Sequence, residues 1–195
     1  MVTTTALEAE LLRLAGSVPD PELPVLTLED LGVVRAVHLH GADAVEVELT
    51  PTYTGCPAVE AMSRDIERVL RERGMREVAV RTVLSPAWST DDITPEGRRK
   101  LRESGIAPPR VRGARGPVSV TLGPPRTRSS GPSASAGTVP TTGSPASGAA
   151  AVEPVACPHC GSADTELLSR FSSTACKALR RCRACGDPFD HFKEV

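Results

Sequence analysis

The sequence predicts a small α/β (α+β) domain of mixed sheet and helices, followed by a C-terminal four-cysteine metal ribbon. Three observations carry this expectation. Apolar residues alternate between a two-residue and a 3.6-residue period over the first 122 positions. Gly, Pro, Ser, Thr and Ala then dominate residues 123–154. Two C-x-x-C pairs follow near the end of the chain.

The elements follow in order. Leu7, Leu11, Leu12 and Leu14 suit one face of a first helix, which Pro19 and Pro21 stop. "GVVRAVHLHG" and "AVEVELT" alternate apolar and polar residues across Gly41-Ala42-Asp43, as an antiparallel hairpin does. From Pro57 to Arg73, Val59, Met62, Ile66, Val69 and Leu70 form one helical stripe, with Gly74 as its stop. "EVAVRTVL" is expected as a strand, "TPEGRRKLRESG" as a helix and "VSVTL" as an edge strand. Strands alternating with helices imply one sheet covered by helices.

Residues 1–122 are thus one domain, 123–154 a flexible linker and 155–195 a ribbon. The linker composition buries too little apolar surface to offset the entropy of ordering it. Its 32 residues give a mean span on the order of 30 Å, so the flanking parts are expected to meet in several geometries.

Bulk properties exclude some classes. There are 23 basic and 24 acidic residues, so no global field draws the chain to nucleic acid or to an anionic membrane. Aromatics are 3% of residues, too few for base stacking along a basic run. No stretch reaches the roughly 20 apolar residues of a membrane helix. The N-terminus, with Glu8 and Glu10, reads as an amphipathic helix and not as a signal peptide. Six cysteines without such a signal point to a reducing compartment, and the expected location is cytoplasmic.

Cys157 and Cys160 in "CPHC", and Cys182 and Cys185 in "CRAC", are each followed by glycine. Two thiolates at this spacing grip one ion from a tight turn, and two such turns about 20 residues apart have the layout of a zinc ribbon. So short a segment has little core, and structural zinc supplies roughly 10–16 kcal/mol of apparent folding energy. Rubredoxin-like iron on the same sulfurs and a redox dithiol are the competing readings. His159 is expected at the surface, and His191 as a spare donor at most.

Cys56 follows a strand and precedes the helix that Pro57 opens. There, free amides and the helix dipole are expected to lower its pKa, against the alternative of a structural thiol. Asp20 and Glu22 either cap a turn and face solvent, or form an acidic lip beside Cys56. Cys176 is either a buried thiol or a reactive one favoured by Lys177, Arg180 and Arg181. The basic run from Arg98 to Arg128 is a solvated face or a dock for an acidic partner.

"VPDPELPVLTLEDLGVVRAV", "LTPTYTGCPA" and "SPAWSTDDITPEGRRKLRESGIAPP" resemble the small domain of SufT-related iron–sulfur assembly factors. With "CPHCGSADTELLSRFSSTACKALRRCRACGDPFDHFKEV", the whole resembles the accessory proteins encoded with multicomponent phenylacetyl-CoA monooxygenase, a ring 1,2-epoxidase. The resemblance implies a role in installing or repairing metal centres, with the hydroxylase or reductase subunits of that monooxygenase as partners. It carries the family motif onto Asp20, Glu22, Thr54 and Cys56, as a site for a transient iron ion or iron–sulfur cluster. It assigns structural zinc to Cys157, Cys160, Cys182 and Cys185, and marks "STACKAL", with Cys176, as a family signature.

Three functions compete: a non-catalytic maturation factor, a redox subunit using four-sulfur iron, and a nucleic-acid-binding module. No Ser-His-Asp constellation, phosphate-cradling loop or dinucleotide fingerprint points to an independent enzyme. His38 and His40 share a strand face, with nothing to connect them to Cys56.

Overall fold

The computed structural model describes residues 6–110 and 154–194, which belong to one compact unit. The expected linker, apart from Pro154, and the edge strand "VSVTL" lie outside the described residues.

Helix α1 (Ala6–Gly16) leads to a four-residue helix α2 (Leu28–Leu31). Thr27 and Asp30 form a reciprocal capping box at the start of α2. Strands β1 (Val34–Leu39) and β2 (Ala44–Leu49) form the expected hairpin, with Val37 opposite Val47. Helix α3 (Val59–Glu72) crosses over to β3 (Glu77–Thr82), which joins β2 in parallel and places Val80 beside Val47. The sheet order β1-β2-β3 is therefore mixed.

Val45, Val47 and Leu49 alternate along β2 toward the core, where Met62, Ile66 and Leu70 of α3 meet them. Helix α1 packs against β1 and α3. It buries Leu11 but leaves Leu12 36% exposed, because a 100° turn separates neighbouring positions and only one can face the sheet squarely. The other sheet face carries ion pairs, Arg81 bridging Glu46 and Glu48 across the parallel register. His38 sits on this face, 3.4 Å from Glu48.

After β3, a turn capped by Ser89 leads into α4 (Pro95–Glu103), whose N-cap is Thr94 with Pro95 in its first turn. Arg98 of α4 is buried and donates to the Pro109 and Thr90 carbonyls. Lys100 binds Asp30 at 2.6 Å, and Arg99 pairs with Glu96 and Glu103. Over its described part, the basic run is thus largely engaged within the protein, and Arg98 is no solvated charge.

The C-terminal strands β5 (Thr165–Ser169), β6 (Lys177–Cys182) and β7 (Pro188–Phe192) form an antiparallel meander. A two-residue strand, β4 (Ile106–Ala107), adds to β7 in parallel and gives the order β4-β7-β6-β5. The exchange runs both ways. Phe192 and Cys176 enter the core beneath the first sheet, while Ala107 joins Val155 and Phe189 in the small core under the cysteines. Backbone pairing and shared apolar burial therefore build the ribbon into the first domain, where composition suggested freely placed parts.

Candidate metal centres

The four C-terminal cysteines converge. Every sulfur lies within 4.8 Å of the others, with Cys157 to Cys185 at 3.9 Å and Cys160 to Cys182 at 3.5 Å. A tetrahedral ion with sulfur ligands about 2.3 Å away would hold sulfur pairs about 3.8 Å apart. The two turns repeat one geometry. The amides of Cys157 and Cys182 donate to the carbonyls of Ser162 and Asp187, and those of Gly161 and Gly186 donate back to Cys157 and Cys182. Both glycines have positive φ, 75° and 83°, which closes each turn in a conformation other residues rarely adopt.

Backbone amides also point at the sulfurs: Ser162 toward Cys160, Ala184 and Cys185 toward Cys182, Asp187 toward Cys185. The amides of Cys185 and Ala184 help bring the Cys182 thiol down to about 7. Four thiols at these separations, with N–H groups ready to stabilise their anions, fit a metal ion with no position left open. His159 is exposed, His191 is buried beside Glu194, and neither joins the four-sulfur cluster.

A second cluster forms at the other end of the ribbon. A small cavity of about 10 Å³ is lined by Asp20, Glu22, Thr52, Cys56, Cys176 and Phe192, among others. That is room for about one water-sized occupant. Asp20, Glu22 and Cys56, undecided by spacing, are thereby brought to one place, and Cys176 joins them from across the chain. Thr54 is exposed and does not line the cavity; Thr52 does. His38, on the open sheet face, and His40 are also outside it.

Asp20 does cap the turn that follows it, accepting the Glu22 and Leu23 amides at 2.9 and 2.7 Å. It is also 93% buried, and this burial raises its pKa against those two amides. Burial and the nearby Asp20 push Glu22 up as well. Among the described residues, no ion pair neutralises either carboxylate.

Cys56 departs from expectation. Helix α3 begins at Val59 with Ala58 at its N-cap, so Cys56 stands outside the first turn. Burial pushes its thiol up despite an amide from Ala58 and the Tyr53 hydroxyl, and the charge of Glu22 adds to the shift. Cys176 behaves likewise. Its thiol is raised first by burial, then by Glu22 and Asp20, against a 3.1 Å contact with the Thr174 hydroxyl. The neighbouring cations expected to favour its thiolate are spent elsewhere, Lys177 on Asp190 at 2.8 Å and Arg181 on Glu166.

Tyr53 and Thr52 escaped sequence reasoning, although both lie in the "LTPTYTGCPA" segment. A wider groove of about 450 Å³, lined by Tyr53, Trp88, Phe171 and Lys193, shares Thr52, Cys176 and Phe192 with the small cavity. Cys176 therefore stands between the groove and the carboxylates of Asp20 and Glu22.

Comparison with known proteins gives two matching families. Residues 141–193 match the PaaD zinc beta ribbon domain, and residues 8–84 match the iron-sulfur cluster assembly protein family. A protein of Escherichia coli (strain K12), provisionally described as one of the subunits of 1,2-phenylacetyl-CoA epoxidase, is 41% identical over 184 residues. The alignment covers 94% of this chain and 91% of that protein. An Fe-S protein maturation auxiliary factor of Porphyromonas gingivalis is 30% identical over 95 residues, 48% of this chain and 90% of its own length. A solved domain of unknown function from Bacillus anthracis, 28% identical, covers 49% of this chain and 92% of its own, with a TM-score of 0.46. Among the described residues, no helix is long and apolar enough to cross a membrane.

Proposed function

The chain belongs to the PaaD family, and on that premise we propose that it is an accessory protein of aerobic phenylacetate degradation. Its task in this reading is to assist metal-centre or iron–sulfur assembly of the phenylacetyl-CoA 1,2-epoxidase complex, whose hydroxylase or reductase is its partner. One observation supports the assembly role above others: a buried thiol, Cys56, shares a cavity with two carboxylates that form no ion pair among the described residues.

Asp20 and Glu22 supply negative charge, and Cys56 supplies a soft donor that forms a thiolate when a cation displaces its proton. The cargo is a ferrous ion or a small cluster, held for transfer and not kept. The four-cysteine centre holds structural zinc in this reading: the match to a zinc beta ribbon domain supports the metal, and four thiolates leave no open position for chemistry.

The test is phenylacetyl-CoA epoxidation in cells carrying Cys56→Ser. The expected result is lower epoxidation with normal amounts of folded protein. Unchanged epoxidation would remove the assembly role of Cys56. Metal counting on untagged protein tests the zinc assignment: one zinc per chain and no visible absorbance are expected, whereas a coloured iron–thiolate centre would favour a redox subunit.

A further inference from the structure

We propose that Cys176, carried by the ribbon, is the second thiolate of the cargo site that begins at Cys56, so that the two halves of the protein hold one ferrous ion between them. The inference deepens the assembly reading and rests on it.

Cys56 and Cys176 are 120 residues apart in sequence, yet both line the water-sized cavity with Asp20 and Glu22. The charge accounting is unusual. Asp20 is 93% buried, Cys56 and Cys176 are each 91% buried, and no ion pair reaches Asp20 or Glu22 among the described residues. Lys177 adjoins Cys176 and acts on Glu22, but its ammonium is bonded to Asp190.

One oxygen of Asp20 takes both turn amides, and the other has no hydrogen bond from the protein among the described residues. Burial holds each of the four groups toward its protonated form, and the nearby carboxylates add to this at Glu22, Cys56 and Cys176. A divalent cation reverses that balance by displacing the thiol protons to solvent. Two thiolates with two carboxylates form a mixed donor set for a borderline first-row ion.

The cavity donors are not gathered into the tight cluster of the four-cysteine centre. Donors that close on the ion only while it is held serve uptake and release. Access follows from Cys176, which also borders the wide groove at Tyr53 and Trp88, so an ion entering there meets the ribbon thiol before Cys56.

The test uses full-length, zinc-loaded protein titrated anaerobically with ferrous iron, with sulfur neighbours of the iron counted by X-ray absorption. Wild type should take one iron with two sulfurs. Cys176→Ser and Cys176→Ala should each keep the zinc, bind iron more than about tenfold more weakly and show one sulfur. Two sulfurs and unchanged affinity in both Cys176 variants would overturn the inference and leave the Cys56 reading standing. Iron binding unaffected by Cys56→Ser, or no iron bound by wild type, would overturn both. Zinc content and amide dispersion of each variant establish that a loss of iron is not a loss of fold.

Discussion

The indole of Trp88 meets the ring of Phe192 with centroids 6.2 Å apart and planes tilted by 52°. Trp88 follows the third strand of the first sheet, and Phe192 ends the last strand of the ribbon. The indole N–H donates to the Leu31 carbonyl at 2.7 Å, which fixes the ring against which Phe192 packs. Phe192→Ala would open a cavity in the core that both parts share, at a cost of about 3–5 kcal/mol. Chemical denaturation should show that loss in the transition of the first sheet as well as in the ribbon. A loss confined to the ribbon would mean that the two parts fold independently.

Arg98 ties α4 to the segment that enters the ribbon sheet. Its guanidinium serves the carbonyls of Thr90 and Pro109, and Pro109 lies two residues beyond β4. Arg98→Met keeps the stem but leaves both carbonyls without their donor, costing about 3 kcal/mol. Hydrogen exchange should quicken at Ile106 and Ala107, which pair with Asp190 and His191, while the β1–β2 hairpin stays protected. Uniform acceleration would point to a general loss of stability and not to an anchoring role.

His191 makes stability fall in mild acid. Burial drives its pKa down to about 4, with Arg180 and Arg110 adding to the effect and Glu194, 3.9 Å away, opposing it. The unfolded chain takes up this proton near pH 6.5 and the folded protein only near pH 4. Stability is therefore complete above pH 6.5 and lost as pH falls toward 4, by roughly 3 kcal/mol. His191→Leu should be close to wild type at pH 7.5 and less sensitive between pH 6.5 and 4. Parallel profiles for the two proteins would show that another group governs that window.

The two-residue and 3.6-residue patterns sufficed for the hairpin, α3 and β3, because those elements bury one clear face each. The four ligands were legible because a metal turn is local: its donors, its glycine and its amides fall within six residues. What stayed hidden is non-local. Nothing in "GIAPP" announces that Ile106 and Ala107 will pair with β7, since two residues carry no periodicity. Nor does spacing place Cys176 beside Asp20. The expected acidity of Cys56 failed for a related reason: sequence showed the coming helix but not the burial, and burial sets the direction of the shift.

Removing the metal should reach well beyond the four cysteines. The ribbon core under the turns consists of Ala107, Val155, Phe189 and two of the ligands themselves, Cys157 and Cys182. So small a core does not replace the roughly 10–16 kcal/mol that a structural ion contributes. Chelation should therefore melt β5 to β7 and withdraw both Cys176 and Phe192 from the shared core. Cys56 is buried partly by those neighbours, so its exposure should rise when they leave. With a thiol reagent, untreated protein should react slowly at Cys56, and chelated protein should react there at least about tenfold faster, a rise that mass mapping assigns to the residue. The first domain should keep its helical signal with a lower melting temperature. Unchanged reactivity of Cys56 after verified metal loss would mean that the ribbon does not cover the first-domain thiol, and that the metal stabilises only its own turns.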